Sequence, residues 1–517
     1  MKVLLVTGRA ASKIVEEYAS KSGVDFEVYV MSHEVAALIP PIEIAKRLKA
    51  HGVKGFDLIL IPGLISGDVS VIEKEVGIPT FKGPIHAADI PYVLSMIGKV
   101  ELSKVEPACK ILNLSRELRE EEELRALEEE LRSKAYFDIA GVPIAKGSLR
   151  IVAEVTSAPI KGVEATLAEA LRYKSYGADI VDIGMVAGES KPELASKLVR
   201  TIKKEVEVAV SIDSLDPKEI TAAVEAGANL VISVDSGILD DLQDLPRDVA
   251  IVVIPTDVKK GYYPTTIGDK VSALEETVDK ALRMGFKKVI ADPILSPPLQ
   301  PSLLESLVAY YEFAKRRPNV PLMMGVGNVT ELMDVDSIGI NGLMAAIAAE
   351  LEISLLLTTE ASNKTCNCVR ELCIAARMAK LSKMARKPMK DLSLSLLAIK
   401  EKRDLTLPVE KMEGCEVVKA SESRMHDYDP SGYVKITIDK CRRGLLASHF
   451  KAGEVTCIIE GARAEDVYNE LIKRGLVTTL SHAAYLGKEL YKAELALKLG
   501  KSYVQDEELD FGFLVRS

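Results

Sequence analysis

The chain has 517 residues, 48% of them apolar, which is too many for one ordinary core and suits roughly two to four domains. A net charge of −9 gives no overall attraction for nucleic acid or an anionic membrane, and no apolar run is long enough or free enough of charge to span a bilayer. Seven cysteines without paired spacing point to a reducing cytoplasm, and the absence of Trp beside abundant Glu and Lys is compatible with a thermophile.

The first residues, Met-Lys-Val-Leu-Leu-Val-Thr, meet Gly8 and Arg9 at once and read as a β-strand rather than a signal peptide. Val3–Thr7, Phe26–Met31, Phe56–Pro62 and Pro79–Phe81 read as strands, with helices over Ala11–Ser22 and Ile42–His51. This predicts a Rossmann-like α/β domain over 1–112. Ligands of such sheets bind beyond the strand C-termini. Thr7, Gly8, Arg9, Gly63 and His86 are therefore candidates, against a reading in which the glycines only permit tight turns. Neither a GxGxxG sequence nor a P-loop is present, so a nucleotide role has little support. Residues 113–147, dense in Glu, Arg and Leu, read as a charged helical linker with apolar positions at helical spacing.

From 148 to 388 short β-branched runs alternate with amphipathic helices. The runs end Ala-Glu154, Val-Asp182-Ile-Gly184, Ser-Ile-Asp213, Ile-Ser233-Val-Asp235 and Ala-Asp292-Pro293, joined by Val249–Pro255, Val320–Gly325 and Ser354–Leu357. Helices are expected over Gly162–Tyr176, Lys191–Glu205, Pro217–Ala226, Ile267–Met284, Pro301–Arg316, Ile338–Glu352 and Cys366–Met384. Continuous apolar strands alternating with helices predict a parallel sheet buried on both faces, here a (β/α)8 TIM barrel. A Lys/Arg-rich helical segment, Met378–Arg403, leads into a small C-terminal α+β domain placed at 389–517. Its strands are expected at Tyr433–Asp439 and Glu454–Glu460, and its helices at Arg463–Arg474 and His482–Leu499.

Five carboxylates, Glu154, Asp182, Asp213, Asp235 and Asp292, fall at strand C-termini, where such barrels place their active sites. Clustered acids supply hard oxygen ligands for magnesium or manganese. They equally match a heterocycle with a 2-amino-pyrimidinone edge, whose adjacent N–H donors fit one carboxylate bidentately. All six histidines (His33, His51, His86, His426, His449 and His482) lie outside the barrel, which weighs against the metal. Composition and spacing leave the choice open. Cys366-Asn-Cys368 and Cys373 match no zinc or iron–sulfur spacing and read as core residues, as do His482 and Tyr485 on one face of their helix.

The order of these motifs resembles the pterin-binding barrel family, which includes dihydropteroate synthase and the corrinoid-linked pterin methyltransferases. Gly177-Ala-Asp-Ile-Val-Asp182-Ile-Gly184 with Gly188-Glu189-Ser190, Ser211-Ile-Asp213-Ser, Ala226-Gly227-Ala228 through Ser233, and Ala291-Asp292-Pro293 carry the likeness. Over its three-part layout the chain is similar to archaeal dihydropteroate synthase-like proteins, and its C-terminal part to a domain of archaeal thymidylate synthase-like proteins. The resemblance implies that Asp182, Asp213, Ser233, Asp235, Asp292, Gly325 and Asn328 bind the pterin, with Ser233 where the family has an Asn. It implies catalytic roles for Glu154, Asp182 and Asn328.

Departures carry information too. The synthase Lys after strand seven and the Arg-x-His after strand eight are replaced by Gly325-Val-Gly327-Asn328 and Thr358-Thr359-Glu360. Removing one donor that stabilises developing charge typically costs about 10²–10³-fold, so their loss argues against ordinary dihydropteroate synthesis. Gly325-Val-Gly327-Asn328 resembles the methyltransferase element whose Asn reaches pterin N5; capping of the following helix is the competing role for Asn328. Lys259 and Lys260 could restore positive charge at the mouth, and Ser157 and Pro159 begin a loop that moves in this family.

The resemblance thus implies a cytoplasmic protein acting on a reduced pterin, of tetrahydromethanopterin or folate type, by condensation or one-carbon transfer. Magnesium is a further candidate cofactor. A homodimer is expected, with a corrinoid protein or thymidylate synthase-like protein as a candidate partner and neither nucleic acid nor membrane involved. The alternatives are a non-catalytic pterin-presenting subunit and a metal-dependent lyase.

Overall fold

The computed structural model describes residues 1–390, 392–401, 416, 418–420, 428–440 and 442–511. It comprises two compact units, Met1–Leu407 and Pro408–Ser517.

The first unit begins with a parallel four-stranded sheet of order β2-β1-β3-β4: β1 (Lys2–Thr7), β2 (Asp25–Val30), β3 (Leu58–Ile61) and β4 (Thr80–Lys82). Helices α1 (Ser12–Ser20), α2 (Pro41–Ala50), α3 (Ser70–Val76) and α4 (Ile90–Met96) cover its two faces and form a separate core on each. The continuous apolar runs of β1 and β3 are what a strand covered on both sides requires. Helix α5 (Ala108–Ser133) then leads to a hairpin, β5 (Phe137–Ile139) and β6 (Val142–Ile144), in the stretch where composition predicts a helical linker. Ala140 and Gly141, with φ of 49° and 92°, give the paired positive dihedrals of a tight hairpin turn.

Eight parallel strands follow: β7 (Arg150–Val155), β8 (Ile180–Gly184), β9 (Ala209–Asp213), β10 (Leu230–Val234), β11 (Ala250–Val253), β12 (Lys288–Ala291), β13 (Met323–Gly325) and β14 (Leu355–Thr359). They run in the order β12-β11-β10-β9-β8-β7-β14-β13, and a bridge between Ala291 and Leu322 closes the ring. This is the expected (β/α)8 barrel. Around it lie α6 (Ala158–Tyr176), α7 (Pro192–Glu205), α8 (Pro217–Glu225), α9 (Ser236–Leu239), α10 (Ile267–Arg283), α11 (Leu303–Arg316), α12 (Gly327–Thr330), α13 (Ser337–Glu350) and α14 (Cys368–Met384). Alternate residues point inward. Val152, Ile180, Ala209, Ile232, Val252, Ile290 and Leu355 therefore fill the lumen, and Ile139 and Ile144 of the hairpin pack onto them from the N-terminal end. Arg150, buried at that end, ties three elements together: it pairs with Glu128 of α5 at 2.6 Å and Asp179 at 3.5 Å, and donates to Pro143 O of the hairpin.

The helix expected over Met378–Arg403 stops at Met384. Arg386 adopts a left-handed φ of 49°, Lys387 N closes back on Ser382 O, and Pro388 cannot continue the ladder. The following residues stay with the first unit, where Ser393 donates through N and Oγ to Glu120 and where Met389 and Leu396 pack on the barrel core. The two compact units therefore divide later than 388/389.

The second unit is an antiparallel meander, β15 (Tyr433–Asp439), β16 (Gly444–Lys451) and β17 (Glu454–Gly461), with α15 (Ala464–Lys473) and α16 (Leu480–Leu499) packed on one face. Strand β16 was absent from the sequence reading. Asp429 fastens the start of this unit to α16. Its carboxylate accepts from Ser431, from Thr478 and Thr479, and from His482 Nδ1, and these donors hold it well below the usual carboxylate range.

Candidate functional site

Because side chains alternate along the barrel strands, the inward residue after the last lumen-filling position is the first to reach the C-terminal mouth. On β7 that residue is Glu154, on β8 Asp182, and on β9 Ser211 and then Asp213. The register sets Glu154 beside Asp182, Asp182 beside Ser211 and Gly184 beside Asp213. One oxygen from each of Glu154, Asp182 and Asp213 lies within 4.8 Å of the others. Asp182 is fully buried; its Oδ1 accepts the Ser211 hydroxyl at 2.5 Å, while Oδ2 has no partner among the described residues.

Carboxylates crowded away from water resist ionisation, first by burial and then by mutual repulsion. Burial and the charge of Asp213 push Glu154 up to about 7. Burial, Asp213 and Glu154 raise Asp182 well above its usual range. Asp213 is raised by burial and opposed only by the Ser233 hydroxyl. Protons in such a cluster belong to the group rather than to one member. Ser233 sits at a left-handed φ of 63°, in the stretch where β10 slips register against β11. Gly184 leaves room for the Glu154 carboxylate: a Cβ there would lie 2.3 Å from Glu154 Oε1 and would displace it.

Across the mouth, Asp292 follows β12 and is buried. Its Oδ1 accepts the Tyr310 hydroxyl at 2.5 Å and Ile294 N at 2.8 Å, and burial pushes it up to about 6 against those bonds. Gly325 ends β13, and a Cβ on it would touch the Asn328 amide at 3.5 Å. Asn328 is exposed and does not cap α12, whose N-cap is Val326; its Nδ2 donates to Leu295 O at 2.8 Å. The amide thus joins the loops after β12 and β13.

Other candidates fall elsewhere. Asp235 stands apart from the acid cluster, its oxygens taken by Ile238 N in α9 and by Val258 N in the turn after β11. Lys259 and Lys260 are committed to Asp241 and Asp257, so they do not supply free charge to the mouth. Ser157 has φ 50° and Gly162 breaks α6 with φ 80°, which sets the first turn of that helix off from the rest. Cys368 and Cys373 are buried and their thiols pushed up to about 11 and about 12 by that burial, whereas Cys366 is exposed. In the N-terminal sheet Arg9 faces Glu34 at 3.7 Å and His86 is exposed. Gly63 there is a close-approach position, since a Cβ would come within 2.6 Å of Gly83 O. Sequence reading missed Gly184, Ser211, Lys270 and Tyr310. Only the first two lay inside motifs that could have pointed to them.

A (β/α)8 barrel with an acid cluster at its strand C-termini is the architecture of the pterin-binding barrels. Residues 156–370 match the pterin binding enzyme family, 1–85 a family of unknown function, and 428–506 the PterinBD-DUF4346 family. An uncharacterized protein of Methanocaldococcus jannaschii is 36% identical over 524 residues, spanning 98% of this chain and 99% of its own length. The chain belongs to one family with that relative, and its barrel is the part that matches the pterin binding enzymes. Among solved structures, dihydropteroate synthase from Xanthomonas albilineans is 20% identical with a TM-score of 0.38, covering 48% of this chain and 96% of that one. The enzyme from Yersinia pestis is 16% identical with a TM-score of 0.39, covering 48% and 99%.

Proposed function

We propose that the barrel mouth binds a reduced pterin, of tetrahydromethanopterin or folate type, and that the chain acts on it by one-carbon transfer. The observation that carries this reading is Asp182 Oδ2, a buried carboxylate oxygen with no donor, in the segment that matches the pterin-binding enzymes. A 2-amino-pyrimidinone edge supplies two adjacent N–H donors, which is what such an oxygen and its neighbours lack. Asp182 and Asp213 would hold that edge from one side and Asp292 from the other. Glu154, which keeps a proton to about pH 7, is placed to donate it or take it back. The exposed amide of Asn328 would contact the ring.

Transfer of a one-carbon unit is favoured over condensation because expelling diphosphate needs cations at the leaving oxygens. The lysines after β11 are already paired with acids, and Gly327-Asn328 and Thr359-Glu360 bring none. Fluorescence titration with a reduced pterin tests the binding. Wild type should bind, and Asp182→Asn should bind at least about tenfold more weakly, the scale of a lost charged hydrogen bond. Equal affinity in the two proteins would sink the reading. Incubation with 6-hydroxymethyl-dihydropterin diphosphate and p-aminobenzoate should release no diphosphate.

One observation favours a second reading. Three hard oxygens converging within 4.8 Å also suit a magnesium or manganese ion. Under that reading, thermal stability would rise with added magnesium and fall back with a chelator, with no pterin present.

A further inference from the structure

Lys270 occupies the first turn of α10 and is 9% exposed. Among the described residues it has no ion pair within 4.0 Å, and its ammonium donates to Ser296 Oγ at 3.2 Å. A buried ammonium with only a hydroxyl for company is expensive unless a negative charge lies close by. The geometry supplies one. Ser296 lies four residues after Asp292 in the loop between β12 and α11, and α11 grips that five-residue segment at both ends. Ser306 Oγ accepts from Ser296 N at 3.1 Å, and one turn later the Tyr310 hydroxyl reaches Asp292. Lys270 is thus held on the loop that carries Asp292, near enough for its charge to act on that carboxylate.

We propose that Lys270 is a positioning residue that keeps Asp292 ionised, so that the mouth offers one fixed acceptor opposite a cluster that retains a proton. The ligand this suits is a neutral ring with N–H donors on one edge and an acceptor on another. The reading of a pterin supplies the ring's identity; the assignment of Lys270 does not depend on it. The groups facing Asp292 are Tyr310 from α11, Lys270 from α10, Ile294 N from its own loop and Asp213 from β9. Tyr310, Ile294 N and Lys270 favour the carboxylate, and Asp213 opposes it. Lys270 itself faces Asp292 and Glu305, whose charges counter the burial that lowers its pKa.

The test compares wild type, Lys270→Met, Lys270→Arg and Lys270→Gln, each with and without Asp292→Asn. Thermal unfolding is followed from pH 5 to 9 without ligand. The difference between each protein and its Asp292→Asn partner reports the protonation of Asp292. Its folded pKa is raised, so its contribution to stability is lost as pH rises through about 6 in wild type. In Lys270→Met that loss should move upward by about one pH unit, the effect of deleting one nearby charge. Lys270→Arg should restore it. Lys270→Gln keeps a hydrogen-bonding group for Ser296 and should behave as Met does, which covers the case in which Met fails to fold. Reduced-pterin affinity should drop about threefold in Lys270→Met at pH 6.5, as the ionised fraction of Asp292 falls, and converge with wild type near pH 8.5. An unmoved Asp292 midpoint in both neutral variants overturns the proposal. A moved midpoint in a protein that binds no pterin upholds Lys270 and overturns the ligand reading alone.

Discussion

Glu154, Asp182 and Asp213 have two hydroxyls between them, Ser211 and Ser233, and among the described residues no cation forms an ion pair with any of the three. Their folded pKa values are raised above the unfolded ones by burial and repulsion. A group raised in this way stabilises the fold below its unfolded pKa, and that stability is lost as pH climbs through the folded value. For Glu154 the window runs from the ordinary carboxylate range to about 7. Glu154→Gln removes the charge that appears there. It should leave unfolding near pH 5 almost unchanged and raise stability at pH 8 by about 1–3 kcal/mol, with a flatter profile between. Urea melts at the two pH values decide it. A lower midpoint at pH 8 would mean that the nearby charge of Lys161 outweighs burial and the repulsion of Asp213.

The secondary elements show where sequence reading succeeds and where it stops. Strands such as Ile180–Gly184 and Ala209–Asp213 were legible because a strand buried on both faces must be apolar until it reaches solvent, so the first acid marks its end. The hairpin was not legible. Its strands have three residues each and follow a helix rich in charge, so neither periodicity has room to repeat. Lys270 and Tyr310 lie in helical patterns where the local sequence says only surface or core. It takes the return of the Asp292 loop to bring Tyr310 against the carboxylate and Lys270 against Ser296 of the same loop. The overrun past Met384 came from composition, since Lys and Arg favour a helix that Pro388 and the left-handed Arg386 end. Arg150, at the foot of β7, gives this scale its own test. Arg150→Met strands Glu128 and Asp179 without their partner, and because Glu128 is partly exposed the expected loss is about 2–3 kcal/mol rather than the full cost of a broken buried pair. The urea midpoint should fall with the slope unchanged, and adding Glu128→Gln should recover part of it.

The second unit has its own apolar core, formed by Val434, Ile436, Leu445, Ala447 and Leu471 with Leu486 and Leu490 of α16. The acids of the mouth all lie in the first unit. A chain ending at residue 407 should therefore fold and titrate with a reduced pterin as the full chain does. The full chain should show an additional calorimetric transition. Loss of pterin binding on truncation would mean that the C-terminal unit contributes to the mouth.

Ile139 and Ile144 seal one end of the barrel lumen. A barrel stoppered in this way is a cup, with a single doorway for arrivals and departures. Whatever rests against the acids at its base is first in and last out, and a second reactant must come to rest above it. If the chain acts on two reactants, their binding would then be ordered. An excess of the upper reactant that entered an empty cup would block the lower one, and the rate would fall again at high concentration.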